Sequence, residues 1–208
     1  PAGAPHSLFP VLHVQNLGGL VFTIPRAAAA PFAADMRAQG PHIGIPLLVG
    51  LDPAAAAADV RRLAQQWHAP VLFTSSGRGV LPDADSLAFV KDFSFGVGEV
   101  VPELIAGADL VLALGCKFTH NGSAAGRLQL PSKKLVRIDS SAEVLAANYP
   151  AALALAARVE SVLPDIVAMT PPRSHWTDDE LQSLRARLKA ERESAIEHEP
   201  VIVDCRRA

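Results

Sequence analysis

A run of five consecutive apolar residues, Leu110 to Leu114, constrains the fold of this chain more than any other segment. The run has the length of a strand and the uniform hydrophobicity of a strand buried on both faces, as in parallel sheets. Gly115 and a small, polar stretch as far as Gly122 follow it directly. The pattern predicts a central parallel strand opening into a loop at its carboxyl end, where open α/β sheets bind ligands.

Similar apolar segments on both sides of this run alternate with helical patterns. The predicted strands are 47–49, 71–74, 110–114, 135–138 and an edge strand at 152–155. The predicted helices are one that begins at Pro53 and is ended by Ala69-Pro70, one at 100–106, one capped by Ser140-Ser141 that runs to about residue 148, and one at 159–169. In the first helix an apolar face recurs at helical spacing, formed by Ala56, Val60, Leu63, Ala64 and Trp67. Strands that alternate with helices predict an α/β fold with a doubly wound parallel sheet.

The flanks carry weaker patterns. Prolines interrupt residues 1–46, where we predict only a helix at 27–39 and a short strand at 42–45. Asp52 and Pro53 are typical of a helix start, and Pro171-Pro172 ends the alternating part. Beyond it, a capping-box spacing from Thr177 to Glu180 opens a charge-rich helix with a stripe of Leu181, Leu184 and Leu188, typical of a surface connector. We therefore divide the chain into segments 1–46, 47–170 and 171–208.

Composition excludes several classes of function. A net charge of −2 gives no electrostatic reason to bind nucleic acid or an anionic membrane. The two cysteines, Cys116 and Cys205, neither build a disulfide framework nor supply a structural zinc site. No apolar run approaches the roughly 20 residues of a membrane helix. These features predict a cytoplasmic protein.

Three loops should meet at one edge of the predicted sheet: 74–79, 115–122 and 139–140. Backbone amides of glycine-containing loops can approach phosphate oxygens, and a carboxylate such as Asp139 can accept ribose hydroxyls. A nucleotide-shaped ligand is one interpretation. The other is that the glycines only make tight turns and that Asp139 caps the next helix.

Individual side chains in these loops are ambiguous. Lys117 and Arg78 could meet a diphosphate or could be solvated loop charges. His120 has no carboxylate or nucleophile at a recognisable spacing, so we assign it no catalytic role. Cys116 follows a buried strand and is interpreted as a packing residue rather than a reactive thiol.

Several segments together resemble a known family. In order and spacing they are similar to the central domain of thiamine diphosphate-dependent enzymes of the acetolactate synthase type, which include benzoylformate and oxalyl-CoA decarboxylases; the segments are Ser76-Gly77-Arg78-Gly79-Val80-Leu81-Pro82, the stretch 108–118, and Val136-Arg137-Ile138-Asp139. The resemblance covers about 47–169. Residues 40–46 resemble the end of the family's pyrimidine-binding domain, and 175–208 the linker and first helix of its pyrophosphate-binding domain.

The resemblance implies cofactors. In flavin-containing members the central domain holds FAD along the carboxyl edge of its sheet, and other members hold ADP there or nothing. Carried onto this chain, the implied contacts are Gly50, Thr74, Ser75, Ser76, Gly77, Gly115, Cys116, Lys117, Phe118, Asp139 and Ser140. Synthases of this type often carry arginine where Lys117 stands, and a lysine cannot reproduce the bidentate guanidinium contact.

The resemblance also implies a reaction. It predicts the central part of a lyase or carboligase acting on 2-oxo acids, a homodimer or homotetramer that uses thiamine diphosphate and Mg²⁺. The family's activating glutamate and its Gly-Asp-Gly motif belong to the two flanking domains and are not found in this chain, so no catalytic or metal-binding residue is assigned and the 208 residues alone should be inactive.

Two alternatives use the same fold. One is a non-catalytic nucleotide-binding or assembly domain, since fold does not determine function. The other, a sirtuin-like deacylase, is disfavoured because its zinc cysteines are missing.

Pro46 is followed at once by Leu47, where the family has a long linker. This predicts a discontinuity close to Pro46: at least one Cα–Cα step between Leu8 and Val49 should be far longer than the about 3.8 Å of a trans peptide.

Overall fold

The structure is a computed structural model that describes residues 15–16, 19–20, 44, 46–50, 53–90, 93, 96–168 and 174–198. Near its start, the two-residue strands β1 (Gln15–Asn16) and β2 (Gly19–Leu20) pair antiparallel. The rest of the described chain is organised around one larger sheet.

That sheet has six strands, and every neighbouring pair is parallel. The strands are β3 (Leu47–Val49), β4 (Val71–Phe73), β5 (Ala88–Phe89), β6 (Val111–Leu114), β7 (Leu135–Asp139) and β8 (Leu153–Ala156). Their spatial order is β5-β4-β3-β6-β7-β8. The chain therefore winds outward from β3 in one direction and from β6 in the other, and the predicted doubly wound parallel fold is confirmed.

The apolar run 110–114 supplies the strand next to this change of direction. In β6, Leu112 lies between Leu47 of β3 and Val136 of β7, and all four residues of β6 are buried. Neighbours on both sides and helices on the sheet leave no solvent-facing side, which is why the run is apolar throughout.

Among the described residues, five helices flank the sheet: α1 (Pro53–Trp67), α2 (Val100–Ala106), α3 (Ala142–Ala147), α4 (Val159–Val167) and α5 (Asp178–His198). Helix α1 contacts α4, and α2 contacts α5. The predicted face of α1 is confirmed, because Ala56, Val60, Leu63, Ala64 and Trp67 are all buried. Gly107 ends α2, where its N–H donates to the Glu103 carbonyl.

Helix α5 is packed onto this domain. Leu181, Leu184 and Leu188 are buried in the same core as the sheet. At the start of α5 the predicted capping box forms: the Thr177 N–H donates to the Glu180 carboxylate at 2.8 Å, and the Glu180 N–H donates to Thr177 Oγ1 at 3.2 Å.

Some predictions differ from the structure or lie beyond it. Strand β5 falls in a passage for which no element was predicted. The predicted strand at 42–45 is described only at Gly44, which is not in a strand. Four parts of the prediction lie outside the described residues: the helix at 27–39, the Asp52 cap, residues 199–208 and most of the segment with the predicted discontinuity. Among the helices that the structure describes, none has the length and hydrophobicity to cross a bilayer.

Candidate functional site

A groove of about 910 Å³ lies at the carboxyl edge of the sheet. Its lining comes from the segments that follow β3, β4, β6, β7 and β8: Gly50, Thr74, Ser75, Ser76, Gly115, Lys117, Phe118, Thr119, Asn121, Gly122, Asp139, Ser140, Arg158, Val159 and Glu160. The groove thus spans the β3/β6 boundary, which is the topological switch point of the sheet. Nine of the eleven predicted contact residues line it.

Gly77 is one of the two predicted contact residues that do not line the groove. It is buried in a short 3₁₀ turn (Ser75–Gly77), where its N–H donates to the Thr74 carbonyl at 3.0 Å. A Cβ atom at this position would overlap the Val49 carbonyl. Gly77 therefore lets the loop after β4 pass against the end of β3, and it contributes to the groove only by shaping that loop.

Cys116 is the other predicted contact residue that does not line the groove. Its side chain is buried, and its Sγ donates to the Leu48 carbonyl at 3.3 Å. Burial raises the pKa of this thiol to about 12. A thiol that stays protonated at neutral pH is a poor nucleophile, which agrees with its interpretation as a packing residue.

Asp139 ends β7 and is buried, yet it lines the groove. Its Oδ1 accepts a hydrogen bond from the Ser141 N–H at 2.9 Å. The cap of helix α3 is Ser141, whose Oγ accepts from the Val144 N–H at 3.2 Å. The interpretation in which Asp139 caps the helix is therefore wrong, because this carboxylate shapes the turn before it, and the predicted cap at Ser140-Ser141 is confirmed at Ser141.

The groove contains charges of both signs. Lys117 is exposed on the loop after β6. Arg158 and Glu160, which the sequence analysis missed, follow β8, and the Arg158 Nε donates to Glu160 Oε1 at 2.6 Å. The Glu160 backbone N–H and this arginine lower the pKa of Glu160. Arg78 lies elsewhere, 3.6 Å from Asp83.

The loop after β6 is fixed by an inward-facing aromatic ring. Phe118 is buried, although Lys117 and Thr119 on either side of it are exposed. It has a positive φ of 48°, and its ring centroid lies 4.5 Å from that of Tyr149. Asn148 Nδ2 also donates to the Phe118 carbonyl at 3.4 Å. The residues beside Phe118 are thus presented to the groove by a loop that is anchored in the core.

This arrangement suits binding of an elongated polar ligand. Its lining supplies backbone groups at glycines, the hydroxyls of Thr74, Ser75, Ser76 and Ser140, an ammonium group and a buried carboxylate. His120 is exposed and does not line the groove. Within the described residues, no group of three or more His, Cys, Asp or Glu side chains could hold a metal ion.

Comparisons with known proteins bear on this fold directly. The family model for the central domain of thiamine pyrophosphate enzymes matches residues 47–166. The chain is 31% identical over 177 residues to the "Probable 2-ketoarginine decarboxylase AruI" of Pseudomonas aeruginosa, which covers 85% of this chain and 29% of that protein.

Two further relatives have different names. A "Probable acetolactate synthase large subunit" of Methanocaldococcus jannaschii is 25% identical over 119 residues, which is 57% of this chain and 20% of that protein. Human 2-hydroxyacyl-CoA lyase 1 is 26% identical over 156 residues, which is 69% of this chain and 25% of the human protein. The matched region thus spans less than a third of the length of each relative.

Proposed function

Because this chain belongs to the thiamine pyrophosphate enzyme family, whose central domain it contains, we propose that it is the central part of a thiamine diphosphate-dependent lyase or carboligase acting on 2-oxo acids. The family match over residues 47–166 carries this proposal. That range begins with β3 and ends in α4, so it takes in all six strands of the parallel sheet.

The reaction belongs to the whole protein. Thiamine diphosphate, when bound, supplies the electron sink that lets a bond to the 2-oxo carbon break. We propose that this cofactor and Mg²⁺ are held by segments outside the central domain and that the 208 residues alone are inactive. The decarboxylase name of the relative that covers 85% of the chain supports decarboxylation, and the acetolactate synthase name of another supports carboligation.

We further propose that the groove binds a nucleotide, FAD or ADP. Its place at the switch point supports this role, since ligands of open α/β sheets bind there. Lys117 would pair with phosphate, and Asp139 would accept hydrogen bonds from ribose hydroxyls. A cytoplasmic homodimer or homotetramer completes the proposal.

The activity test uses the full-length protein that contains this chain. Loaded with thiamine diphosphate and Mg²⁺, it should release CO₂ from at least one member of a panel of 2-oxo acids that includes pyruvate and 2-ketoarginine. Residues 1–208 alone should release none. A full-length protein that is inactive on the whole panel and binds no thiamine diphosphate by calorimetry would favour the non-catalytic alternative.

The nucleotide test is separate. ADP and FAD are titrated calorimetrically into the same full-length protein, into Lys117→Met and into the control Lys133→Met, which changes an exposed lysine that does not line the groove. Loss of one phosphate contact should weaken binding about tenfold in Lys117→Met and leave Lys133→Met unchanged. If neither nucleotide binds saturably, the groove loses this role while the family assignment stands.

A further inference from the structure

A buried arginine stands in the middle of strand β7. Arg137 is 1% exposed and is among the largest fully buried side chains of the described protein. Burying a guanidinium is costly unless its N–H groups find acceptors. Burial lowers the pKa of this group. Its presence between apolar strand residues therefore requires a structural explanation.

The acceptors of Arg137 are backbone carbonyls, and none of the ion pairs among the described residues involves it. Its Nη2 donates to Cys116 at 3.3 Å and to Val144 at 3.1 Å, and its Nη1 donates to Leu145 and Tyr149, each at 3.2 Å, and to Asn148. Four of these five carbonyls belong to the end of α3 and the two residues beyond it. Helix C-termini carry unpaired carbonyls and the negative end of the helix dipole, so a cation is favourable there.

The fifth acceptor lies on a different element. The Cys116 carbonyl belongs to the groove loop after β6. The guanidinium carbon also lies 5.1 Å from the centroid of the Phe118 ring, within the range of a cation–π contact. One side chain thus connects the end of α3 to the loop that carries Lys117, and it contacts that loop on both sides of Lys117.

We propose that Arg137 is a positioning residue for the groove: it fixes the segment Cys116–Phe118 against the end of α3 and so holds Lys117 in place for an anionic ligand. The planar guanidinium presents donors in several fixed directions and a flat face to the ring, which an ammonium group cannot do. The ligand half of this inference rests on the proposed nucleotide role. We call the fixing of Cys116–Phe118 against the end of α3 by Arg137 the clamp, and the clamp rests only on the observed contacts.

The test compares Arg137→Lys with a matched control in the full-length protein. Leu104→Ala removes a buried side chain of α2 that does not line the groove, so it lowers stability without touching the proposed clamp. Calorimetric titration gives the ADP affinity well below the melting temperature of each variant. Amide hydrogen exchange reports opening of the loop after β6.

Arg137→Lys should weaken ADP binding about tenfold and speed exchange at Cys116–Thr119, while Leu104→Ala keeps wild-type affinity and loop exchange. Loop exchange as slow in Arg137→Lys as in Leu104→Ala would overturn the clamp. If wild-type protein binds no ADP, the nucleotide role and the ligand half fail together, and loop exchange alone decides the clamp. If Arg137→Lys does not fold, Phe118→Leu replaces it, because losing the ring contact should also speed loop exchange.

Discussion

A Cβ atom built on Gly50 would lie 2.8 Å from the carbonyl oxygen of Gly115. These two residues directly follow β3 and β6, the adjacent strands between which the sheet changes winding direction. The same Cβ would lie 3.0 Å from Thr74 Oγ1. At the switch point the groove is therefore lined by backbone atoms, and their close approach requires a residue without a side chain at position 50.

Gly50→Ala should destabilise the protein by about 1–3 kcal/mol, because the added methyl group must push apart two strand ends that hydrogen bond to each other. The Gly50 N–H donates to the Leu114 carbonyl at 3.0 Å, so the strain falls on the sheet itself. Urea unfolding measures the change in the free energy of unfolding.

Gly107→Ala is the matched control for this substitution. Gly107 ends α2 with φ −72°, and its nearest contact for a Cβ atom is 3.6 Å away. Alanine fits that conformation and should leave stability unchanged or raise it by up to about 1 kcal/mol. Equal losses in the two variants would contradict the assignment of Gly50 to a close approach of two strand ends.

The sheet could be predicted from the sequence because its central strands are uniformly apolar. A segment such as 110–114 is typical of a strand buried on both faces of a parallel sheet, and a helix or a long crossover connects it to the predicted strands before and after it. The meeting of the loops after β4, β6 and β7 followed from the same topology. That is why most predicted contact residues line one groove.

The features of the fold and groove that the sequence did not predict depend on contacts between distant residues, which local sequence patterns do not show. Strand β5 has two residues, too few to show a period, and it forms because Ala88 pairs with Val71. Arg158 and Glu160 enter the groove because β8 adds to the sheet edge beside β7. A charged residue in a strand, such as Arg137, gives no sequence signal of which distant carbonyls will accept its hydrogen bonds.

Ser141→Ala should destabilise the protein by about 0.5–2 kcal/mol, the usual cost of losing an N-cap. Ser141 Oγ accepts from the Val144 N–H, and it also donates to Glu143 Oε2 at 2.7 Å, the interaction that does most to lower the pKa of Glu143. The pKa of Glu143, followed by NMR, should therefore rise in the variant. Ser140→Ala is the control, since this exposed neighbour is not the cap, and its stability should match that of the wild type.

Cys116 should make stability depend on alkaline pH. Burial raises the pKa of its thiol from 9.0 to about 12, so between these values the unfolded chain releases a proton that the folded chain retains. The folded state then binds more protons, and stability falls as pH rises through this window, by at most about 1.4 kcal/mol per pH unit. Below pH 9 the contribution is fully present.

The measurement is the difference between wild type and Cys116→Ala in urea unfolding at pH 8 and pH 10. Subtracting the variant removes the contribution of other groups that titrate in this range. The stability loss between the two pH values should be smaller in Cys116→Ala.

A labelling experiment tests the burial of the same thiol. In a Cys205→Ser background, native Cys116 should resist a maleimide reagent that labels the unfolded chain rapidly. Rapid labelling of the native protein would show that the thiol is accessible.

Glu191 joins α5 to α2 by capping a helix to which it does not belong. Its Oε1 accepts hydrogen bonds from the Glu99 and Val100 N–H groups, each at 3.0 Å, at the start of α2. A carboxylate at a helix N-terminus also interacts favourably with the helix dipole. Glu191→Ala should therefore destabilise the protein by about 1–2 kcal/mol and speed amide exchange in the first turn of α2.

The control for this prediction lies two residues along the same helix. Glu193 is exposed and lies 3.8 Å from Lys189, one turn before it on α5, an arrangement that contributes little to stability. Glu193→Ala loses the same carboxylate and gains the same helix-forming residue, but it leaves the cap of α2 intact. If both variants unfold at the same urea concentration as the wild type, the cap contributes nothing. If only Glu191→Ala shifts, and exchange quickens in α2 rather than in α5, then α5 stabilises the domain through this contact as well as through its buried leucines.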